Sequence, residues 1–590
     1  MRTKKYPSGT SKNIASLYRA RLAREKGTIR KDWGGRISVA LVYPNFYRIG
    51  MSNLGFQVVY NLFNKRKDVV AERFFSPEGP EMSLYVRTGK DIVSLESGMP
   101  LREFDIVAFS LSFENDYPNI LKILELGKIP LLLKERDASH PFIMAGGITT
   151  FLNPEPLAPF FDFFLLGEAE ANLEEFIETF SGIRHVVKNR KELRKALARN
   201  IKSIYVPSLY RIEYHKDGTI KSRDPVESNI PEKIEVPRYN FLDNQVSTSG
   251  IISRDSEFAD RVLIELGRGC GHSCRFCAAG YVYRPPRVHN ESDLLACIDN
   301  VMTDCSNLGL LSAAVSDTPG IENITDRIID KGGRFSVSSL RADSLTGELL
   351  EHLKKAGQKT IAIAPEAGSE RLRKVVNKRL SQKRIIESAR LIASSKNFTL
   401  RLYFLIGLPT ESHEDVVEIR EVVKAIKHNI VNVSKSRGRV GQIKLSVNCF
   451  IPKPFTPFQW FPLEDISTLK EKQQWLKKEL RMAGGIKVNF DLPKWAYLQA
   501  LLSMGDRRVA SILLLAHSFR GDWTRTLRSS ELTDFFVYRP KGLSEILPWD
   551  FINHGISKQY LIKEYNLALE GKESEPCSVG DCVRCGVCSQ

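Results

Sequence analysis

The chain has 590 residues, of which 42% are hydrophobic and 26% are charged, and its formal net charge is +17. These proportions are ordinary for a soluble globular protein, and the length allows roughly three or four domains. No apolar run is long enough to span a bilayer, and the first residues lack the apolar core of a signal peptide. Seven of the ten cysteines lie in two tight groups, a pattern typical of metal binding in a reducing compartment. We therefore expect a cytoplasmic protein that does not contact a membrane.

Residues 1–36 form a basic leader, which holds eleven Lys or Arg against two acids, Glu25 and Asp32. The spacing of apolar residues over 14–22 predicts an amphipathic helix within it. A basic segment can bind phosphates by releasing counterions, so RNA is a candidate partner. The alternative is a solvated leader that binds nothing specific.

Apolar strand patterns alternate with helical patterns between residues 37 and 183. This alternation predicts a doubly wound, Rossmann-like α/β sheet. The predicted strands are 36–43, 105–112, 142–145 and 161–166, and the predicted helices are 54–64, 117–126 and a segment through residue 176. Ligands of such sheets bind beyond the carboxyl ends of the strands. The small, polar or glycine residues expected at these ends are Ser52, Asn53, Gly55, Ser110, Ser112, Gly146, Gly147, Gly167 and Glu168.

Residues 184–256 are interpreted as a connector, with a charged helical piece and a β-hairpin that turns at Asp217–Gly218. A second alternation of strands and helices occupies residues 257–460. Its predicted strands are 261–266, 310–315, 334–338, 359–364, 399–405 and 444–450. Parallel strands are again expected, with functional groups at their carboxyl ends.

Three cysteines, Cys270, Cys274 and Cys277, lie in a glycine-rich turn directly after the first of these strands. Flexible loop backbone can wrap three thiolates around one iron–sulfur cluster. Three ligands are one short of saturating a four-iron cluster, so one iron keeps an open position for a small molecule. Zinc is the alternative, but structural zinc sites prefer four ligands, and the nearby candidate for the fourth is His272.

Residues 461–560 are predicted to be mainly helical, and residues 561–590 form a cysteine-rich tail. The tail cysteines, which can ligate a second iron–sulfur cluster or a structural zinc, are Cys577, Cys582, Cys585 and Cys588. Four thiolates leave no open coordination position. The expected role is therefore a supporting one, either electron relay or fixing the tail over the active site.

The Cys-x3-Cys-x2-Cys loop, with Phe276 before its third cysteine, resembles that of radical S-adenosylmethionine (SAM) enzymes. The resemblance implies a 4Fe–4S cluster that binds SAM and cleaves it to a 5′-deoxyadenosyl radical. It implies an electron donor such as flavodoxin or ferredoxin, and a partial (β/α)6 barrel, which the six predicted strands suit. The residues that match the family's SAM-binding positions are Phe276, Asp317, Ser338, Arg341, Glu366, Gly407 and Pro409.

The N-terminal domain, through its position before the cysteine loop, resembles the cobalamin-binding domains of cobalamin-dependent radical SAM enzymes. The nine residues named above at its strand ends are then the candidate cobalamin contacts. The Asp-x-His-x-x-Gly loop of other cobalamin proteins is absent, so no histidine from that loop can ligate cobalt.

The expected function is methyl transfer to an unactivated carbon, or a related radical step, on an unknown substrate. One alternative is a cobalamin-independent enzyme of methylthiotransferase type that uses the tail cysteines for a second cluster. Another is a non-catalytic RNA-binding protein with structural metal sites.

Overall fold

The computed structural model of the chain describes residues 13–187, 189–241, 245–435, 440–530, 532–580 and 582–588. The chain divides into two compact units. Unit 1 comprises Met1–Thr150, Pro159–Ser208 and Ser249–Arg261, and unit 2 comprises Phe151–Ala158, Leu209–Thr248 and Val262–Gln590. The first twelve residues of the basic leader lie outside the described residues. Within the described ranges, no helix is both long enough and apolar enough to cross a membrane. The domain boundaries inferred from the sequence stay predictions.

Unit 1 contains a six-stranded sheet. In spatial order its strands are Val69–Phe75, Ile37–Tyr43, Ile106–Ser110, Phe142–Gly146, Phe163–Leu165 and Ile204–Tyr205. The first five are parallel and the last is antiparallel. Ile37–Tyr43 is buried along its full length, which explains its uninterrupted apolar sequence. The doubly wound sheet predicted from the sequence is confirmed.

The order of strand addition reverses at Ile37–Tyr43, which has Val69–Phe75 on one side and Ile106–Ser110 on the other. This is the flavodoxin-like order, in which a ligand crevice opens beyond the carboxyl ends of the strands at the reversal point. The segments that follow Tyr43 and Ser110 therefore border the expected crevice.

The sequence pattern does not predict strand Val69–Phe75, because Glu72 and Arg73 interrupt its apolar run. Both charged residues are nevertheless buried. Arg73 Nη2 lies 2.7 Å from Glu25 Oε2, and Arg73 Nε lies 2.6 Å from Glu96 Oε1. A buried charge is tolerated where it is paired and hydrogen-bonded. Ion pairs therefore accompany the apolar contacts that hold this strand.

The helices among residues 13–208 include several that the sequence predicts. Ile14–Leu22, Leu54–Lys65 and Tyr117–Leu126 lie where expected. Asn53 caps the second of these, since its Oδ1 accepts a hydrogen bond of 2.9 Å from the Phe56 amide. Ala169–Arg184 and Arg190–Asn200 correspond to the predicted helix through residue 176 and to the charged helical piece of the connector. Tyr47–Gly50, Pro80–Thr88 and Ile148–Leu152 are further helices.

Unit 2 contains parallel strands in two sheets. The first sheet has the order Val262–Glu265, Asn307–Leu311, Arg334–Val337, and the second has the order Thr360–Glu366, Thr399–Ile406, Ile443–Cys449, Ile486–Phe490. Every neighbouring pair is parallel. A parallel bridge between Leu340 and Ile363 continues the order from one sheet to the next. Strands added in chain order, with helices between them, confirm the parallel architecture predicted for this region.

Two strands of unit 2 differ from expectation. The predicted strand 310–315 lies instead at Asn307–Leu311, and Val315–Asp317 forms a 3-10 turn. Strand Ile486–Phe490 lies within the stretch predicted to be mainly helical. Its residues alternate between partly buried and exposed, so it lacks a continuous apolar signal. The helices on both sides of it agree with the prediction.

The described helices of residues 209–588 separate the parallel strands and then dominate the C-terminal region. They are Ala279–Val282, Glu291–Val301, Ile321–Asp330, Gly347–Lys355, Glu370–Val375, Gln382–Ser395, His413–Ser434, Ile466–Met482, Pro493–Met504, Val509–Ser518, Trp523–Arg528, Thr533–Val537 and Lys558–Leu569. The predicted hairpin is formed by Tyr210–Tyr214 and Ile220–Pro225. Short strand pairs are Glu25–Lys26 with Ile252–Ser253, Ile234–Glu235 with Ile552–Asn553, and Gly267–Arg268 with Arg287–Val288.

Candidate active site

The three-cysteine loop, residues 267–288, is called the cluster loop below. Its two ends are held together, because Gly267–Arg268 pairs antiparallel with Arg287–Val288. Gly269 has φ +85°, and a Cβ at this position would lie 2.7 Å from the Tyr283 carbonyl oxygen. The conformation of the loop therefore requires glycine at position 269.

Ser273 has φ +58°, which is uncommon for a residue with a side chain. Three neighbours hold it in place. The Tyr281 hydroxyl and Asn377 Nδ2 donate hydrogen bonds of 3.1 and 3.2 Å to its carbonyl oxygen, and Arg284 Nη2 donates one of 2.6 Å to its hydroxyl. These contacts fix the backbone immediately before Cys274.

The thiols of the cluster loop lie partly buried beside two cations. Burial raises the pKa of Cys274 to about 12 and also raises the pKa of Cys277. Lys378 and Arg341 act in the opposite direction on Cys274, since nearby positive charge favours the thiolate. These cations can compensate the negative charge of metal-bound thiolates.

The donor set of the cluster loop suits a 4Fe–4S cluster, because three thiols come from one glycine-rich segment. No group of three or more cysteine, histidine or carboxylate side chains in the described ranges is arranged to hold a metal as it stands.

Asp317, at the end of the 3-10 turn Val315–Asp317, lies beside the cluster loop. Its Oδ2 is 2.5 Å from His272 Nε2, and its Oδ1 accepts a hydrogen bond of 2.5 Å from the Ser344 hydroxyl. Burial opposes the charge on Asp317, but these hydrogen bonds and Arg341 outweigh burial and lower the pKa of Asp317. His272, the candidate for a fourth ligand, is therefore engaged by Asp317.

Arg341 follows the strand Arg334–Val337, as does Ser338, which is exposed. Arg341 Nη2 lies 2.6 Å from Asp343 Oδ2, and Arg341 Nε lies 3.9 Å from Asp317 Oδ2. The Nε atom is buried, and it has no hydrogen-bond partner in the part of the chain that the structure describes. Buried donors are normally satisfied, so this atom fits an acceptor supplied by a ligand.

Glu366 ends the strand Thr360–Glu366 with φ +67°, where the register of the strand pairing also shifts. Its Oε1 accepts a hydrogen bond of 3.0 Å from Lys378 Nζ. Burial opposes the charge on Lys378, but Glu366 and Cys274 outweigh it and raise the pKa of Lys378. Strained backbone is concentrated at functional sites. The ion pair between Glu366 and Lys378 therefore adds charged groups near Cys274.

Phe276 packs against an apolar cluster that includes Leu408. The predicted turn residues Gly407 and Pro409 flank Leu408 in the sequence. Gly407 has φ +76°, and its amide donates a hydrogen bond of 2.9 Å to Glu411 Oε1. The structure thus brings the turn close to the aromatic residue of the cluster loop.

Sequence reasoning missed three cations of the site, the buried Arg275 and Arg284 and the partly buried Lys378. Two of them lie within the cluster loop, where a charged residue is ordinarily solvated. In the sequence, only the position of Arg275 and Arg284 in the segment that carries the predicted ligands could have identified them. Lys378 belongs to no motif and is found from the structure alone.

In unit 1, polar side chains connect the segments that border the crevice. Asn53 Nδ2 donates a hydrogen bond of 3.1 Å to Ser112 Oγ, and Asn45 Nδ2 donates one of 2.7 Å to Asp116 Oδ1. Burial raises the pKa of Asp116 to about 7, while Asn45 opposes the shift. The crevice therefore contains a carboxyl group that is partly protonated near neutral pH.

The other crevice residues differ in how much room they leave for a ligand. A Cβ at Gly147, where φ is +106°, would lie 2.4 Å from the Leu111 carbonyl oxygen. Packing within the chain therefore explains this glycine. At Gly55 the nearest atom to an added Cβ is Asn53 Oδ1, at 3.4 Å, so packing does not strictly require glycine there. Asn115 Oδ1 is buried and has no hydrogen-bond partner among the described residues.

The remaining predicted residues of unit 1 lie at the same strand ends. Ser52 Oγ donates to the Arg48 carbonyl at 2.7 Å and accepts from the Glu257 amide at 2.8 Å. Ser110 and Gly146 are opposite each other in adjacent strands. Gly167 has φ +106° and Glu168 is buried, directly before the helix Ala169–Arg184.

The tail cysteines lie beside the cluster loop. Cys582 and Cys585 are buried, and Cys577 and Cys588 are partly buried. The Cys577 amide donates a hydrogen bond of 2.8 Å to the Gly271 carbonyl. The two cysteine groups of the sequence are thus neighbours in space.

Comparisons with known proteins agree with this architecture. A family model described as "Radical SAM proteins, N-terminal" matches residues 55–207, and one described as "Radical SAM superfamily" matches residues 264–423. The uncharacterized protein MJ0966 of Methanocaldococcus jannaschii is 29% identical over 480 residues, which cover 81% of this chain and 90% of that protein.

The cobalamin-dependent SAM radical enzyme OxsB is among the similar solved structures. Its complex with aqua-cobalamin and SAM aligns with 91% of this chain and 79% of the OxsB chain, at 13% identity and a TM-score of 0.40. Its complex with aqua-cobalamin aligns with 66% of this chain and about half, 52%, of the OxsB chain, at 15% identity and a TM-score of 0.39. Similarity at this level assigns no ligand.

Parallel strands whose carboxyl ends carry a three-cysteine loop and buried charged groups define an enzyme that works through a bound cofactor. The two matched ranges together span more than half of the chain, and the protein belongs to the radical SAM superfamily. Membership implies a 4Fe–4S cluster, SAM and a source of electrons.

Proposed function

We propose that the protein reductively cleaves SAM at a 4Fe–4S cluster held by Cys270, Cys274 and Cys277. The observation that carries the proposal is the buried Arg341 Nε atom, which lacks a hydrogen-bond partner among the described residues and belongs to a cation beside Cys274. When bound, the cluster supplies the electron that breaks the bond between the sulfur and C5′ of SAM.

The residues around the cysteines fit the polar groups of SAM. Arg341 offers a guanidinium donor to the methionine carboxylate, a pairing that is strong because both groups are charged. Asp317 carries a negative charge that can accept the methionine ammonium group. Phe276 and Leu408 offer apolar surface near the Gly407 turn for the adenine ring. Glu366 and Lys378 form an ion pair, and Lys378 adds a second positive charge near Cys274.

The test is the formation of 5′-deoxyadenosine from SAM by anaerobically reconstituted protein with a low-potential reductant. The wild-type chain should form it, and a Cys270→Ala/Cys274→Ala/Cys277→Ala variant should not. A Cys297→Ala variant, which removes a thiol outside both cysteine groups, is the matched control. Product formation by the triple variant at the wild-type rate would refute the proposal.

We further propose that unit 1 binds a cobalamin and that the enzyme transfers a methyl group. The support is the strand reversal beside Asn53 and Ser112, and the buried Asn115 Oδ1, which has no hydrogen-bond partner among the described residues. Asn53, Ser112 and Asn115 would hold the corrinoid by hydrogen bonds, without a histidine from the Asp-x-His-x-x-Gly loop. When bound, the cobalamin supplies a cobalt centre that carries the methyl group.

Corrinoid binding is tested by adding hydroxocobalamin to the protein and following its visible spectrum through gel filtration. Wild-type protein should retain the corrinoid with a shifted spectrum. Ser112→Leu should weaken retention, because it removes a crevice hydroxyl and fills space near Asn53. Ser83→Leu, at an exposed helical position of the same unit, should leave retention unchanged. Wild-type protein that elutes free of corrinoid would contradict the proposal.

RNA is the substrate class that we propose to test first. Part of the leader's charge is already paired, since Arg21 contacts Glu81 and Arg24 contacts Asp255. A groove in unit 1 nevertheless collects the basic residues Arg30, Lys31, Arg36, Lys65 and Lys67. RNA retention should fall with salt, by about 0.7 log units per contacted phosphate for each log unit of salt.

The groove is tested with Lys65→Glu/Lys67→Glu, and Lys122→Glu serves as an exposed control on another helix of unit 1. The double variant should lose RNA retention at low salt, and the control should keep it. Equal retention by wild type and double variant would exclude the groove as the binding surface.

A further inference from the structure

The spacing of the tail cysteines favours an iron–sulfur cluster over zinc. Cys582, Cys585 and Cys588 follow one another with two residues between neighbours. Such a continuous run is typical of 4Fe–4S ferredoxins. Zinc sites are more often built from two separate pairs of ligands with a long spacer between the pairs. Cys577, five positions before the run, completes a set of four thiols.

The tail is fixed against the cluster loop by backbone contacts. The Cys577 amide donates a hydrogen bond of 2.8 Å to the carbonyl of Gly271, the residue after Cys270. A Cβ added to Gly271 would lie 3.4 Å from the Cys577 carbonyl oxygen. This hydrogen bond therefore joins Cys577 of the tail to the residue next to Cys270 of the cluster loop.

Residues 582–586 of the tail also make specific contacts. The Ser557 amide donates a hydrogen bond of 2.9 Å to the Cys585 carbonyl. Gly586 has φ +88°, and a Cβ there would lie 3.3 Å from the Gly555 carbonyl oxygen. Arg584 Nε donates to Cys582 Sγ at 3.2 Å. Hydrogen bonds to cysteine sulfur are among the interactions that tune an iron–sulfur cluster.

A buried cation lies between the two cysteine groups. Arg284 Nη2 donates to Ser273 Oγ at 2.6 Å, next to Cys274, and Arg284 is almost fully buried. The same guanidinium interacts electrostatically with Cys577 and Cys585 of the tail. One buried cation thus contacts the residue before Cys274 and also lies near two thiols of the tail. Two negatively charged clusters can lie close together when a cation between them reduces their repulsion.

We propose that Cys577, Cys582, Cys585 and Cys588 hold a second 4Fe–4S cluster, which passes electrons to the cluster loop. A ferredoxin- or flavodoxin-class donor loses one electron, the tail cluster accepts it, and the tail cluster is then reoxidised by the first cluster. No bond forms or breaks in the relay. The relay rests on the proposed SAM cleavage, whereas the second cluster itself does not.

Iron and sulfide analysis separates the two sites. Reconstituted wild-type protein should contain about eight irons per chain, and variants that lack either cysteine group should contain about four. The variants are Cys270→Ala/Cys274→Ala/Cys277→Ala for the cluster loop and Cys582→Ala/Cys585→Ala for the tail. Cys588→Ser, at a partly buried position, gives the same result if the buried tail variant fails to fold. Cys297→Ala should keep the wild-type iron content.

The outcomes distinguish failure of this proposal from failure of the proposed function. If the tail variants keep the full iron content, or if the tail contains zinc, the second cluster is excluded. If instead the cluster-loop variant keeps the full iron content, SAM cleavage at that loop is excluded while the tail cluster stands.

Electron paramagnetic resonance tests the proximity that a relay needs. Two reduced clusters held close together by the Cys577–Gly271 hydrogen bond should broaden each other's signals. The spectrum of fully reduced wild-type protein should therefore be broader than that of Cys588→Ser protein, which should show one isolated cluster. Two sharp, additive signals in the wild-type protein would overturn the relay.

Discussion

Arg275 Nε donates a hydrogen bond of 3.1 Å to Glu564 Oε2, which joins the cluster loop to the helix Lys558–Leu569. Both side chains are buried, with exposed fractions of 0% and 3%. Ser574 Oγ donates to the same carboxylate oxygen at 2.8 Å. The cluster loop is thus braced by an ion pair that water does not screen.

Removing one member of this pair should destabilise unit 2. Glu564→Ala leaves the Arg275 charge buried without its carboxylate, which should cost about 3 kcal/mol in the free energy of unfolding. Glu351→Ala removes one partner of an exposed pair with Lys354, and should cost much less, because water screens that pair. Urea unfolding of the two variants checks the difference. Equal costs would show that the buried pair does not brace the loop.

Arg341→Lys should weaken SAM binding more than it slows turnover. Lysine keeps the charge but loses the planar fork that arginine offers to a carboxylate. The KM for SAM should rise about tenfold, equivalent to about 1.4 kcal/mol, with a smaller change in kcat. Arg327→Lys, in an exposed pair with Asp299, is the control. An unchanged KM would remove Arg341 from the SAM site.

Asp116→Asn should abolish one component of the pH dependence of stability. The folded-state pKa of Asp116 is raised from 3.8 to about 7, so the folded protein binds more protons than the unfolded chain between these values. Its contribution to stability therefore falls as pH rises from about 4 to 7. The denaturation midpoint of wild type, relative to that of Asp116→Asn, should decrease over this range.

Asp217→Asn provides the control for that measurement. Hydrogen bonds from Thr219 lower the pKa of Asp217, so its titration lies below the range in question. The difference in denaturation midpoint between wild type and Asp217→Asn should stay constant from pH 5 to pH 7, to within about the experimental error. A constant difference for Asp116→Asn as well would contradict the assignment of a raised pKa.

Gly147→Ala should destabilise unit 1. A Cβ would lie 2.4 Å from the Leu111 carbonyl, and φ is +106°. We expect a loss of about 2 kcal/mol or more in the free energy of unfolding. At Gly182, in the helix Ala169–Arg184, no atom lies within 4 Å of an added Cβ. Gly182→Ala should instead stabilise the protein by about 0.5 kcal/mol or more, and thermal unfolding distinguishes the two.

Local patterns in the sequence predict much of this fold because burial leaves a direct signal in it. ISVALVY predicts a strand buried on both faces, and the structure buries every residue of Ile37–Tyr43. The helix Tyr117–Leu126 is likewise predicted by its apolar spacing. Val69–Phe75 has no such signal, because Arg73 depends on Glu25 and Glu96, which are distant in sequence.

The candidate site also contains residues that local sequence patterns predict and residues that they do not predict. Spacing identifies Cys270, Cys274 and Cys277, since the ligands of one cluster can be contributed by one loop. Lys378 lies beside Cys274 only because the strand Thr360–Glu366 ends there and the chain turns back. Such contacts depend on tertiary structure, and no local pattern contains them.

The contacts between the cluster loop and residues 558–577 also set an order of assembly. Asn377 Nδ2 donates to both Ser273 O and Ser574 Oγ, and the Cys577 amide reaches Gly271. During synthesis, the cluster loop emerges about three hundred residues before these partners, and chains grow at about 5–20 residues per second. For tens of seconds the loop exists without its brace. Cluster insertion that needs the braced loop must therefore wait until residues 558–577 have been synthesised.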